Sequence, residues 1–148
     1  MPVPDSLVPF EWFGKAEDDI RAAELLLAHN GPLGITAFLV QQAAEKYLKG
    51  YLLSTDWSFE RIHDLEALLE EASARDEEFV PFLAACQRIT EYYTEGRYPI
   101  GLTSVLTRTE VVASLEDVRQ LATLVRTKVT IMGGDEPEKG PQSSTPPE

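Results

Sequence analysis

The chain has 148 residues, an apolar share of 43% and a formal net charge of −12. This length supports one domain that buries about two thirds of the surface of its unfolded chain. The negative charge argues against broad electrostatic attraction to nucleic acid, but it leaves room for a local basic site because distant charges are screened. One cysteine and two histidines exclude an internal disulfide and argue against a zinc site built on these residues.

The sequence carries no signal for a membrane. No apolar run approaches the ~20 residues that a transmembrane helix needs, and the first residues lack the basic and apolar regions of a signal peptide. We therefore expect a soluble, cytoplasmic protein without a membrane partner.

The first predicted helix begins at about Phe10, where apolar residues start to recur at spacings of three and four. Glycine and proline in Asn30-Gly31-Pro32 form a signal that ends it. Residues 1–9 contain three prolines and are predicted to be irregular.

The second predicted helix spans about Leu33 to Leu53 and is apolar over most of its circumference. Such a helix should be surrounded by other helices. Its polar residues share an arc of about 140°, which we call the polar stripe. The stripe consists of Gln41, Gln42, Glu45, Lys46 and Lys49. It either faces water, with an ion pair between positions four apart, or it lines a cleft or a seam with a second chain.

Three further helices follow. Asp64 is a candidate N-cap for the third helix. The fourth is predicted over about 77–94, with Pro81 in its first turn. A break over 95–101, marked by two glycines and a proline, then precedes a last helix over about 103–131.

The helical pattern defines the domain organisation. Residues 10–131 form an all-α, up-and-down antiparallel bundle of four to five helices, since no segment shows the alternation typical of strands. Residues 132–148 are acidic and rich in proline and are predicted to be a disordered tail. The physical pattern of the sequence indicates nothing more specific than this bundle.

Four short motifs occur in order along the chain. They are Glu11-Trp12-x-x-Lys15-Ala16-Glu17-Asp18-Asp19, Phe38-x-x-Gln41-Gln42-Ala43-Ala44-Glu45-Lys46-x-Leu48-Lys49, His63-Asp64-Leu65 and Arg97-Tyr98-Pro99. Together they resemble the HEPN family, whose name abbreviates higher eukaryotes and prokaryotes nucleotide-binding. The resemblance covers about residues 10–128, and its motifs have the order and intervals of the family.

The resemblance implies a helical bundle that is usually a homodimer. Prokaryotic members are commonly encoded beside a minimal nucleotidyltransferase, and the two proteins associate as a two-component, toxin–antitoxin-like system. Catalytic members are metal-independent ribonucleases that use an arginine followed four to six residues later by a histidine. The histidine moves protons at the 2′-hydroxyl, and the arginine stabilises the charge of the phosphorane.

This sequence departs from the ribonuclease pattern. Arg97 matches the arginine of that pattern, but residues 101–104 are glycine, leucine, threonine and serine. Both histidines, His29 and His63, lie upstream. We therefore expect a non-catalytic family member with no cofactor and no metal.

The candidate site residues follow from the stripe and the motifs. The candidates for binding a nucleotide or RNA phosphate are Arg97, Lys46, Lys49, His63 and Tyr98, and the candidates for an interface are Gln41, Gln42 and Glu45. The simpler alternatives are that His63 and Asp64 only mark a helix start, and that Arg97 pairs with an acidic residue while Tyr98 packs at the bundle end. The alternative functions are a ribonuclease with a relocated base, in which His63 acts with Arg97, and a purely structural interaction module.

Overall fold

The computed structural model of the chain describes residues 5–97 and 106–131, without the side chains of residues 92–97. Within these ranges the chain is helical and contains no strand, so the predicted all-α bundle is confirmed. The elements are α1 (Pro9–Ala28), α2 (Leu33–Leu53), α3 (Leu65–Arg75), a 3₁₀ helix (Glu77–Phe82), α4 (Leu83–Arg97) and α5 (Arg108–Ile131). None of these helices is long and apolar enough to cross a lipid bilayer.

Helix α2 lies at the centre of the bundle. It packs against α1, α3, α4 and α5, as its nearly continuous apolar circumference predicts. Its neighbours run antiparallel to it on two sides. On α1, Asp19 meets Lys46. On α4, Ile89 lines the same small cavity as Val40 of α2. Phe79, in the 3₁₀ helix before α4, has its ring against that of Tyr51 near the other end of α2.

Helices α1 and α2 approach most closely at Gly50. A β-carbon at this position would lie 2.5 Å from Cε1 of Phe13 and 3.0 Å from the carbonyl oxygen of Pro9. The phenyl ring of Phe13 is fully buried, and its centroid is 5.9 Å from that of Tyr47. The absence of a side chain at Gly50 therefore allows the ring to lie against the backbone of α2.

The predicted end of the first helix is confirmed. Asn30 has a positive φ of 54°, and the backbone N–H groups of Asn30 and Gly31 donate to the carbonyl oxygens of Leu27 and Leu26. This pattern is a Schellman motif. The guanidinium group of Arg108, at the start of α5, also donates to the carbonyl oxygen of Leu27 at 2.7 Å, which ties the two elements together.

The fourth predicted helix is wrong in its first part and too short in its second. Residues 77–82 form a 3₁₀ helix instead of an α-helix, because Pro81 has no N–H to donate and its ring crowds the preceding turn. At the other end, α4 continues to Arg97, so Glu95, Gly96 and Arg97 do not belong to the predicted break. Residues 1–4, 98–105 and 132–148, which include Tyr98 and the predicted tail, lie outside the described residues.

Candidate functional site

Most of the polar stripe on α2 is buried. Gln41, Glu45 and Lys49 are only 5%, 3% and 3% exposed within a single chain, while Gln42 and Lys46 are half-buried. The hypothesis that the stripe faces water is therefore wrong for its buried members, and no second chain is needed to cover them.

The connection between α2 and α3 helps to cover the stripe. It turns back at the end of α2, and His63 at its far end approaches Glu45, two turns before the end of that helix. Phe59, Arg61 and His63 alternate along this connection and line a cleft against α2. We call this space, of about 230 Å³, the α2 cleft. Its lining comprises Asp5, Trp12, Gln42, Glu45, Lys46, Lys49, Phe59, Arg61 and His63.

A group of charges that is buried at Glu45 and Lys49 and exposed at His63 forms the floor of the α2 cleft. Oε2 of Glu45 is 3.8 Å from Nζ of Lys49, and Oε1 of Glu45 is 3.4 Å from Nδ1 of His63. The second contact is an ion pair when His63 is protonated, and its length is beyond that of an ordinary hydrogen bond. Oε1 of Glu45 is itself buried and, among the described residues, has no hydrogen bond of ordinary geometry, so its long contact with His63 lies at an oxygen that is closed to solvent.

Burial sets the pKa directions of this pair. Removal from water raises the pKa of Glu45, and the nearby charges of Lys49 and His63 oppose the rise. The same removal from water lowers the pKa of Lys49, and Glu45 opposes that fall. Both charged forms are therefore disfavoured by burial and stabilised by each other.

Aromatic rings form one wall of the α2 cleft. The ring centroids of Trp12 and Phe59 are 5.7 Å apart, and the ammonium group of Lys49 lies 5.7 Å from the centroid of the Trp12 ring, which is a cation–π distance. The indole N–H of Trp12 donates to the carbonyl oxygen of Ser6 at 2.8 Å. The N-terminal segment is thereby held at the mouth of the cleft.

A second and larger cleft adjoins the first. Its volume is about 560 Å³, and it shares Asp5, Trp12 and Lys46 with the α2 cleft. Lys15 and the exposed face of Gly14 contribute to its lining from α1. The two spaces together provide room for a ligand larger than a single phosphate.

Arg61 is a cation of the α2 cleft that was not among the candidates predicted from the sequence. It lines the α2 cleft and pairs with Asp5, with Nε of Arg61 3.0 Å from Oδ2 of Asp5. A signal was present in the sequence, because Arg61 is two residues before His63, and alternate residues of an extended segment point to the same side. The extended path itself depends on where the connection between the helices runs.

Two residues of the HEPN-like motif His63-Asp64-Leu65 make different contacts. Oδ1 of Asp64 accepts hydrogen bonds from the backbone N–H groups of Glu66 and Ala67 at 3.0 and 3.2 Å, so the predicted N-cap is confirmed. The cap begins α3 immediately after His63, and the imidazole reaches Glu45. Asp64 therefore has a structural role in the motif, and its neighbour His63 lines the α2 cleft.

The structure does not bring Arg97 together with His63 in one chain. Ile89 is level with Val40, and α4 continues from there for eight residues in the direction opposite to α2. At a rise of about 1.5 Å per residue, the backbone of Arg97 is about 20 Å from that of Glu45 along the bundle. The five candidate phosphate ligands therefore do not lie in one place. Lys46, Lys49 and His63 share the α2 cleft, Arg97 lies toward the other end of the bundle, and Tyr98 is outside the described residues.

The chemistry of the site is that of charge and stacking. Over residues 5–97 and 106–131, no three histidine, cysteine, aspartate or glutamate side chains are grouped so that they could hold a metal ion. The α2 cleft instead offers three permanent cations, one histidine and an aromatic wall. This arrangement suits a ligand that has an anionic group and a flat ring.

Comparisons with known proteins agree with this architecture. A family model described as HEPN domain matches residues 10–128 of the chain. The crystal structure of TT1696 from Thermus thermophilus is similar to this chain, with a sequence identity of 26% and a TM-score of 0.66. That similarity covers 81% of this chain and 97% of TT1696. The search of curated proteins found no significant match.

Proposed function

The chain belongs to the HEPN domain family, and we propose that it is a non-catalytic, nucleotide-binding member of that family. In this proposal the chain forms a homodimer and acts as the partner of a minimal nucleotidyltransferase in a toxin–antitoxin-like pair. The nucleotide, or the phosphate of an RNA, binds in the α2 cleft.

The observation that carries the proposal is the convergence of Lys46, Lys49, Arg61 and His63 on one cleft beside Trp12. A guanidinium group binds two phosphate oxygens at once, and a lysine adds a point charge. The indole ring offers a face on which a base can stack, an interaction worth about 1–3 kcal/mol. These are the recognition elements that a nucleotide requires.

Two observations support a binding role over RNA cleavage. No histidine follows Arg97 within the interval that the family's ribonucleases use. The distance of about 20 Å between the levels of Arg97 and Glu45, estimated from the helical rise, also argues against His63 as a relocated base acting with Arg97 in the same chain. A proton carrier must lie within hydrogen-bond reach of the group that it serves.

Calorimetric titration of the full chain with ADP tests the binding. We expect wild type to bind ADP and Lys46→Gln to weaken the binding by about tenfold, the worth of one charge-assisted hydrogen bond. The matched control is Lys128→Gln, which removes a lysine that lines neither cleft and pairs with Glu78 at 2.7 Å. It should change the affinity by less than about twofold because a charge remote from the cleft is screened. Absence of ADP binding to wild type would contradict the proposal.

The partner and the lack of catalysis need their own experiments. Co-expression with the product of the adjacent gene, followed by affinity capture and light scattering, should yield a complex that contains a dimer of this chain. Incubation of the purified chain with RNA should leave the RNA intact. Cleavage that disappears in both His63→Ala and Arg97→Ala would establish the ribonuclease alternative instead.

A further inference from the structure

The cations of the α2 cleft are matched one for one by carboxylates. Lys46 pairs with Asp19 at 2.5 Å, and Lys49 pairs with Glu45 at 3.8 Å. The guanidinium group of Arg61 pairs with Asp5 at 3.0 Å. With all three pairs in place, the permanent charges around the cleft cancel, and an anion gains little by entering it.

The three carboxylates differ in how readily they can move away from the cations with which they pair. The side chains of Glu45 and Asp19 are 5% and 16% exposed and lie on helices α2 and α1. Asp5 is 36% exposed and belongs to the non-helical segment before α1. Asp5 can therefore move through its side chain and its non-helical backbone, whereas the other two carboxylates are held by their burial on packed helices.

The segment next to Asp5 is anchored just behind it. Ser6 accepts from the indole N–H of Trp12 through its carbonyl oxygen, and its hydroxyl donates to Glu11 at 2.5 Å. The hydroxyl oxygen also accepts from the backbone N–H of Val8 at 3.0 Å. These contacts hold Ser6 in place, so Asp5 can turn away from Arg61 while the rest of the segment keeps its position.

We propose that Asp5 is a built-in competitor, and that the phosphate of a nucleotide binds to Arg61 by displacing the Asp5 carboxylate. This inference rests on the proposed function and specifies its site: Arg61 holds the phosphate, and the Asp5 carboxylate occupies the guanidinium group of Arg61 when no nucleotide is present. Inorganic phosphate lacks a base and fills only the Arg61 position.

The test compares the affinity for ADP of the wild-type full chain with that of Asp5→Asn, by calorimetric titration at low ionic strength. Asp5→Asn removes the competing charge and should tighten ADP binding by about fivefold, the effect of one unit charge near the phosphate. Arg61→Gln should weaken binding by about tenfold. The matched control is Asp117→Asn, since Asp117 forms a similar pair with Arg88 at 3.1 Å elsewhere on the bundle and should change the affinity by less than about twofold.

The double variant Asp5→Asn/Arg61→Gln separates competition from a general charge effect. If Asp5 competes for Arg61, removal of Asp5 gives no gain once Arg61 is absent. A gain that persists in the double variant, or the absence of a gain in Asp5→Asn, overturns the inference while leaving the proposed nucleotide site intact. If neither wild type nor Asp5→Asn binds ADP, the proposed function fails and the inference fails with it.

Discussion

The two sides of helix α2 are both buried, but their neighbours are of opposite character. On one side, Phe13 of α1 lies against Tyr47 and against the bare backbone at Gly50. On the other side, Glu45 and Lys49 are covered by a connection that itself carries charged residues.

The two sides of α2 contribute differently to the stability of the fold. Apolar burial stabilises the fold by roughly 25 cal/mol per Å² of surface removed from water. A buried ion pair loses the hydration of both charges, and an apolar pair of the same size is often at least as stable. Apolar packing therefore accounts for the stability of the side that contains Phe13, whereas the buried charges on the side that contains Glu45 contribute little net stability. The following substitutions test this comparison, from the largest expected effect to the smallest.

Phe13→Ala should have the largest effect. It empties a fully buried ring site between α1 and α2, and we expect it to lower the free energy of unfolding by about 3–5 kcal/mol. Urea unfolding followed by circular dichroism measures the change. Phe59→Ala, in the half-buried wall of the cleft, should cost less than half as much. Equal losses at the two positions would remove the distinction between the two sides.

Lys49→Met should lower the free energy of unfolding by about 3 kcal/mol, the lower end of the range for breaking a buried pair. The loss arises because Glu45 keeps its burial without its cation. In the double variant Glu45→Gln/Lys49→Met, the loss should be smaller than the sum of the single losses by about 1–2 kcal/mol. Lys15→Met, at an exposed position, controls for the loss of a lysine. Strict additivity would mean that the two charges do not interact.

Gly50→Ala should destabilise the chain, although alanine is the better helix former. The β-carbon would overlap the ring of Phe13, at a cost of about 1–3 kcal/mol, which exceeds the gain of about 1 kcal/mol in helix propensity. Gly14→Ala is the matched control, because no atom lies within 4 Å of its new β-carbon, and it should stabilise by about 0.5–1 kcal/mol. Thermal unfolding of the two variants should therefore shift in opposite directions.

The smallest expected effect is a pH dependence of the free energy of unfolding, which comes from the buried carboxyl group of Glu45. Burial raises the pKa of Glu45 above its ordinary value of 4.5 in the folded chain. As the pH rises from 4.5 through the raised value, the unfolded chain loses this proton first, so the free energy of unfolding falls. Glu45→Gln removes this dependence.

The advantage of wild type over Glu45→Gln should therefore decrease as the pH rises from 4.5 through the raised pKa of Glu45 in urea unfolding experiments. Glu70→Gln, at an exposed position on α3, controls for the removal of a carboxyl group. An advantage of wild type that grows with pH would show that Glu45 is stabilised in its charged form.

The sequence by itself determined the order of the helices and the central place of α2. The stop after Ala28 and the cap at Asp64 depend on neighbouring residues, so local rules predict them. The same rules failed at Pro81. Proline is common in the first turn of a helix, so an α-helix was predicted from about residue 77, but residues 77–82 form a 3₁₀ helix. The HEPN resemblance was also present in the sequence, and the family match over residues 10–128 confirms it.

Only the tertiary structure decided what the polar stripe faces. Periodicity places Glu45 and Lys49 on one arc of α2, but it cannot tell whether water, a second chain or a connection of the same chain covers that arc. The answer depends on the path of the segment that carries Arg61 and His63, which returns along α2 and meets Asp5 near the start of the chain. Such contacts join residues that are far apart in the sequence, and no local pattern encodes them.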